Sequence, residues 1–219
     1  MKFLGFEVLS PEENMKRDEE LLFSLEEGKI EPCFRIYEWS ELCISIGKNQ
    51  EMKKFPIKVV RRPTGGGALI HGWDISFCIV DYKRKQNLWK IYKRISENFV
   101  KIFEYFRIKL EFEKNKSYKL DTYYCFFFPT FGELKTKSVK KIVSMAMREL
   151  KETFLLHGSI YITFDYKRAE SILGIDECEL KRRITSLREL GIEKKDFIQQ
   201  LHSSLSSFIL TRDSRNTKL

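Results

Sequence analysis

Three glycines in a row, Gly65-Gly66-Gly67, follow the run Val59-Val60-Arg61-Arg62 and precede the apolar run from Ile75 to Tyr82. Glycine loses more backbone entropy on folding than any other residue and gives a sheet nothing to pack. A triplet between two β-forming runs therefore marks a place where the chain turns tightly or where something comes close to bare backbone. Amides beside the Arg61 and Arg62 guanidinium groups suit an anionic or carbonyl-bearing ligand. The competing reading is a tight hairpin whose arginines are incidental.

The rest of the chain gives that loop a setting. A strand over Lys2 to Leu9 leads to Ser10-Pro11-Glu12-Glu13, where Ser10 caps a helix, Pro11 fits its first position and Glu13 closes a capping box; the helix ends near Gly28. Cys33 to Trp39 and Leu42 to Gly47 are short runs that suit paired strands, followed by strands at Val59 to Arg62 and Ile75 to Tyr82. Leu88, Ile91, Ile95, Phe99, Ile102, Phe103 and Phe106 fall on one stripe of a long core helix. Strands are expected at Ile108 to Phe112, Cys125 to Phe128, Lys141 to Met145 and Leu156 to Phe164, then short helices after Lys167. Without regular βαβ alternation this is an α+β chain, with a central mixed, largely antiparallel β-sheet flanked by helices. With 219 residues, 42% of them apolar, a single catalytic domain over 1–210 is expected, followed by a polar tail, 211–219.

Composition excludes more than it selects. No apolar stretch approaches the roughly 18 residues that cross a bilayer, and the start lacks a signal-peptide pattern, so a cytoplasmic protein is expected. Five cysteines, Cys33, Cys43, Cys78, Cys125 and Cys178, form no C-x-x-C pair and support neither a disulfide framework nor a metal site. A formal net charge of +9 favours an acidic partner. That partner could be nucleic acid, anionic lipid or an acidic protein, and charge alone does not choose among them; no nucleic-acid-binding motif is legible.

The motifs narrow this further. Asn14-Met15, Arg35-Ile36-Tyr37-Glu38-Trp39, Ser45-Ile46-Gly47-Lys48-Asn49-Gln50, Arg61-Arg62-Pro63-Thr64-Gly65-Gly66-Gly67-Ala68 with His71, Cys125-Phe126, Pro129-Thr130, Lys140-Lys141-Ile142-Val143, Leu156-His157-Gly158-Ser159 and Ile184-Thr185-Ser186-Leu187 occur in order over roughly residues 10 to 208. Together they resemble the lipoate-protein ligase and octanoyltransferase family, whose catalytic domain is shared with biotin ligases. The resemblance implies an acyl tunnel on the central sheet. Arg61, Arg62, Thr64, Gly65, Gly66, Gly67, Ala68, His71, His157 and Gly158 would bind substrate, although a lone histidine near a strand end is also a common hydrogen-bonding core residue. Lys141 looks like the family's essential lysine at the acyl carbonyl.

Cys125 separates the branches. Cys125-Phe126 ahead of Lys141 is similar to the cysteine-using octanoyltransferases, in which a thiol beside an ammonium takes an acyl group as a thioester. The other reading is a buried cysteine in an aromatic strand. The resemblance implies transfer of an octanoyl or lipoyl group to the lysine of an acidic lipoyl-type acceptor domain, from an acyl-carrier protein or lipoyl-protein donor, with no tightly bound cofactor. The alternative is an ATP-dependent lipoate-protein ligase making a lipoyl-adenylate with ATP and Mg, lacking its accessory domain or needing a partner subunit. Where the family has Gly-Ser-Ala-Gln this chain has Ser144-Met145-Ala146-Met147, so bulk at Met145 and Met147 is expected to reshape the acyl slot.

Overall fold

The computed structural model describes residues 1–112, 123–127, 134–136, 138 and 140–208. Strand β1 (Lys2–Leu9) leads into helix α1 (Pro11–Glu26), whose capping box forms as the sequence predicts: Glu13 N–H donates to Ser10 Oγ and Ser10 N–H to Glu13 Oε2. Strands β2 (Cys33–Trp39), β3 (Cys43–Ile46), β4 (Lys58–Arg61), β5 (Leu69–His71) and β6 (Asp74–Tyr82) follow, then helix α2 (Leu88–Tyr105). Beyond it come β7 (Leu110–Phe112), one 3-10 turn at Cys125–Phe127, β8 (Leu134–Thr136), β9 (Lys141–Glu149), β10 (Thr153–Tyr161) and helices α3 (Tyr166–Leu173), α4 (Glu177–Arg183) and α5 (Lys194–Ser207).

Seven strands form the main sheet in the order β1-β2-β6-β10-β9-β8-β7, with β1 parallel to β2 and every other pairing antiparallel. This is the mixed, largely antiparallel sheet of the α+β expectation. Helix α2 lays Ile91, Ile95, Phe99, Ile102 and Phe103 on one face together with Phe197, Leu201 and Leu205 of α5. At about 1.5 to 3 kcal/mol per fully buried large apolar side chain, that face is a principal source of stability. Met15, Leu21, Leu22 and Leu25 of α1 close the other face against Tyr37, Cys78 and Leu155.

Four expectations are corrected. The runs at Cys33–Trp39 and Cys43–Ile46 do not pair with each other: β3 lies in a second, three-stranded sheet of order β4-β3-β5, parallel to β4 and antiparallel to β5. The glycine loop accordingly is no hairpin, since β4 and β5 lie on opposite sides of β3 and the loop crosses the end of that strand. Cys125–Phe127 is a 3-10 turn rather than a strand, closed by the bond from Phe127 N–H to Tyr124 O; just before it a single bridge, Cys125 N–H to Ala68 O and Ala68 N–H to Tyr123 O, ties the segment to the end of the glycine loop. The last helix runs 14 residues and is not short. Phe128, Pro129, Thr130 and the tail 211–219 lie outside the described residues.

Candidate active site

A cavity of about 800 Å³ opens between the two sheets. Its walls come from the glycine loop, from β9 and β10 over Ser144–Met147 and His157–Ser159, from Met15, Tyr37 and Trp39, and from Leu88, Trp89 and Tyr92 at the start of α2. Of the residues singled out by sequence, Arg62, Gly65, Gly66, Gly67, His71, Cys125, His157 and Gly158 line it; Arg61, Thr64, Ala68 and Lys141 do not.

The glycines have separate reasons. Gly66 has φ +94°, a left-handed backbone that side chains resist. A Cβ on Gly67 would lie 2.8 Å from the Cys125 backbone nitrogen, and one on Gly47 would lie 2.1 Å from Gly66 O. The chain that comes close to bare backbone is therefore, in part, the cysteine segment itself. Both guanidinium groups of the Arg-Arg pair are bonded to the protein's own oxygens, Arg61 through Nη1 alone and Arg62 through every donor. Arg61 Nη1 donates to the carbonyls of Gly47, Lys48 and Gln50. Arg62 donates from Nε and Nη2 to Gly65 O, from Nη2 to Gly67 O, and from Nη1 to Ser45 O and Ser45 Oγ. Those five bonds exhaust its donors. They draw the Gly65 and Gly67 carbonyls toward the guanidinium, and in a trans peptide the N–H lies opposite its carbonyl, so Gly66 N–H turns away from Arg62. Among the described residues, nothing accepts from Gly66 N–H or Gly67 N–H. These are candidate oxyanion donors on a loop that lines the cavity.

Two buried aspartate–histidine pairs hold the loop. Asp18, fully buried, accepts from Arg35 Nε and Nη2 through Oδ1 and from Tyr37 OH through Oδ2, and His157 Nδ1 lies 2.8 Å from the same Oδ2. Burial pushes Asp18 up, but Arg35 and His157 outweigh it and hold the carboxyl below its ordinary range. Burial pushes His157 down, against the pull of Asp18, so its imidazole is neutral, with Nδ1–H toward Asp18 and Nε2 accepting from Thr64 Oγ1 at 2.7 Å. The second pair is His71 Nδ1 with Asp74 Oδ2 at 2.7 Å. Its Nε2 lies 2.8 Å from Ser45 Oγ, which already accepts from Arg62 and so has its own hydrogen to donate. Trp39 stacks on the His71 ring. Both histidines are thus hydrogen-bonded parts of the scaffold that also face the cavity.

Lys141 meets Cys125 on the opposite side of the loop. Lys141 Nζ lies 3.0 Å from Cys125 O and 3.1 Å from Cys125 Sγ, and Lys141 is 8% exposed. The lysine backbone is fixed by a bridge to Ile184, with Thr185 N–H donating to Lys141 O. Lys140, half-buried, has no such contact to the sulfur. Among the other cysteines, burial pushes the Cys33 thiol up to about 11 and raises those of Cys43 and Cys78 as well, and Cys178 sits on the surface of α4.

Gly158 has a packing reason beside its place on the wall, since a Cβ there would lie 2.5 Å from Ser144 O and 2.7 Å from the Phe77 ring. Sequence reasoning missed Asp18, Ser45 and the cavity-lining Asn49 and Gln50, although the last three stand in quoted motifs. Among the described residues, no group of three His, Cys, Asp or Glu side chains could hold a metal ion, and no helix is long and apolar enough to cross a membrane.

With this geometry in place, comparison with known proteins is informative. Residues 10–206 match the family model described as the lipoyl protein ligase A/B catalytic domain. The octanoyltransferase LipM of Lysinibacillus sphaericus is 30% identical over 202 residues, which cover 83% of this chain and 73% of the relative. That of Brevibacillus brevis is 29% identical over 212 residues, covering 87% and 76%. Among solved structures, a lipoate-protein ligase A bound with ATP superposes with a TM-score of 0.77 at 17% identity, over 94% of this chain and 83% of that one. The Aquifex aeolicus biotin protein ligase gives 0.52 at 14% identity, over 94% and 68%.

Proposed function

The chain belongs to the lipoyl protein ligase A/B catalytic-domain family, and from that premise we propose that it is an octanoyltransferase working through a Cys125 thioester. The single observation that carries the reading is the contact of Lys141 Nζ, at 3.1 Å, with the Sγ of Cys125, a residue on the wall of a largely apolar cavity. An adenylate-forming ligase has no use for a thiol there, and the similarity to octanoyltransferases LipM supports the same branch.

In this mechanism the Lys141 ammonium stabilises the thiolate of Cys125. The thiolate attacks the carbonyl of an octanoyl thioester on a carrier, an oxyanion forms facing the Gly66 and Gly67 amides, and the old carbon–sulfur bond breaks after the new one forms, the carrier leaving as its thiolate. The neutral amine of the acceptor lysine then attacks the Cys125 thioester. A carbon–nitrogen bond forms, the bond to Cys125 breaks, and the amine's proton leaves with the departing sulfur. The apolar wall holds the chain at about 0.8 kcal/mol per buried CH₂. No tightly bound cofactor takes part; ATP and Mg belong to the ligase alternative, for which the structure offers the shared fold alone. The acceptor is a lipoyl-type domain, and the donor an acyl-carrier protein or a lipoyl-protein.

The test is intact-mass spectrometry of the protein with octanoyl-carrier protein, and separately with lipoate and ATP. The expected result is one octanoyl increment that Cys125→Ser removes, with acceptor octanoylation lost alongside. Undiminished turnover of Cys125→Ser, or acylation that requires ATP, would transfer the case to the ligase.

A further inference from the structure

The loop joining β3 to β4 is bound tightly to the cysteine segment. Gln50 Nε2 donates to Tyr123 O at 2.6 Å, Tyr123 OH donates to Glu51 O at 2.8 Å, and Phe55 packs its ring against both Tyr123 and Tyr124. Its inner side supplies Asn49 and Gln50 to the cavity wall. Its outer side is different. Lys48, Met52, Lys53 and Lys54 are all exposed, and none of the three lysines forms an ion pair among the described residues. Glu51 is the one acid among them. Lys53 Nζ stands 4.3 Å over the Tyr123 ring, two residues from Cys125. On the other flank the Arg183 guanidinium stands 5.6 Å from the Phe127 ring, also two residues from Cys125. Glu179 there is shared between Arg182 and Arg183, which leaves that flank positive as well. The cysteine is bracketed by cations stacked on the aromatic rings of its own segment.

We propose that the rim from Lys48 to Lys54 is the docking surface for the acceptor: a carrier domain with an acidic surface beside its target lysine. This rests on the octanoyltransferase reading. An acceptor lysine must enter at Cys125, so its domain has to sit on whatever surrounds that entrance. Lys48, Lys53 and Lys54 present charge that no acid pairs among the described residues, on a loop whose other side is already cavity wall, so docking and delivery share one element. Met52, 53% exposed in the midst of them, supplies an adaptable apolar contact of the kind found inside charged rims. A net charge of +9 on the whole chain steers the same acidic partner from a distance.

The experiment separates loading from delivery. Cys125 is loaded from S-octanoyl-N-acetylcysteamine, a small uncharged thioester, and read by intact mass; transfer to a purified lipoyl domain is then followed. The variant is Lys53→Glu with Lys54→Glu. The control is Lys101→Glu with Lys195→Glu, two exposed lysines on α2 and α5, which lowers the net charge by the same four units from +9. Loading is expected to match wild type in both, while kcat/KM for the lipoyl domain falls about tenfold to a hundredfold in the rim variant alone, mainly through KM, and loses most of its salt dependence. The milder Lys53→Gln with Lys54→Gln falls between. Rim and control variants that transfer equally well, or a rim variant whose loading falls in parallel with transfer, would overturn the docking surface. Wild-type protein that never gains an acyl group on Cys125 would instead overturn the octanoyltransferase reading beneath it.

Discussion

Arg62, on the cavity wall, and Lys141, which meets that wall through Cys125, are both buried cations, 7% and 8% exposed, and they are used in opposite ways. Arg62 spends all five donors on oxygens of Ser45, Gly65 and Gly67, so its charge shapes the loop. Lys141 directs its ammonium at a thiol and at that cysteine's own carbonyl. The loop side is also braced from behind by Asp18–His157 and Asp74–His71. The cysteine side is joined from separate pieces of chain around residues 68, 125, 141 and 184. One half of the site is an over-determined frame; the other holds the reacting atoms.

The largest effect should therefore come from the cation whose ammonium meets the reacting sulfur. Lys141→Ala is expected to slow octanoyl transfer roughly 10²- to 10³-fold, the scale of one preorganised electrostatic stabiliser. Lys140→Ala should stay near wild type. Steady-state rates with octanoyl-carrier protein check this, and equal losses in the two variants would remove the distinction between the lysines.

Arg62→Lys tests the other half. An ammonium cannot reproduce a fork that reaches Ser45, Gly65 and Gly67 at once, and hydrogen bonds to charged groups are worth about 1.5 to 3 kcal/mol each. We expect a loss of about 2 kcal/mol in urea unfolding, and a fall in activity that is the same with a carrier thioester and a small thioester. Full stability with lost activity would make Arg62 a ligand-binding group, as the bare Arg-Arg-Pro-Thr-Gly-Gly-Gly pattern suggests when read without its neighbours.

The same contrast explains what was legible in the sequence. The capping box at Ser10–Glu13 and the stripe of α2 are local, and both form as read. Cys125 and Lys141 were legible as motif members, and the structure brings them together. The brace was not: Asp18 and His157 stand 139 residues apart, and no periodicity marks a buried aspartate on an amphipathic helix. β5 and β8 are three residues each, too short for an alternation to show. The second sheet escaped because β3 pairs in parallel with β4, which no turn signal announces. Three glycines pointed correctly to a close approach, but the approaching group includes the protein's own cysteine segment.

The smallest expected effect is a pH dependence belonging to the frame. In the native state His157 has a depressed pKa and stays neutral, whereas in the unfolded chain it protonates near 6.5. Above that pH neither state binds the proton, and stability is flat with respect to this group. As pH falls through 6.5 the unfolded state takes up a proton that the native state refuses, so stability is lost with a slope of up to about 1.4 kcal/mol per pH unit, down to the native value. Asp18 and Asp74, both depressed in the native state, add a further loss below about pH 4, where the unfolded carboxylates protonate first. Asp81, raised by burial, acts in the opposite sense and offsets part of that second loss. Thermal unfolding from pH 8 to 5 should accordingly show a level midpoint above 7 and a decline below 6.5. His157→Gln should start lower, because Asp18 and Thr64 lose a partner, and show a shallower decline. A wild-type midpoint that does not move between pH 7 and 5 would mean that native His157 takes up its proton as readily as the unfolded chain does, and at the acid end Thr64 would then accept from the imidazole instead of donating to it.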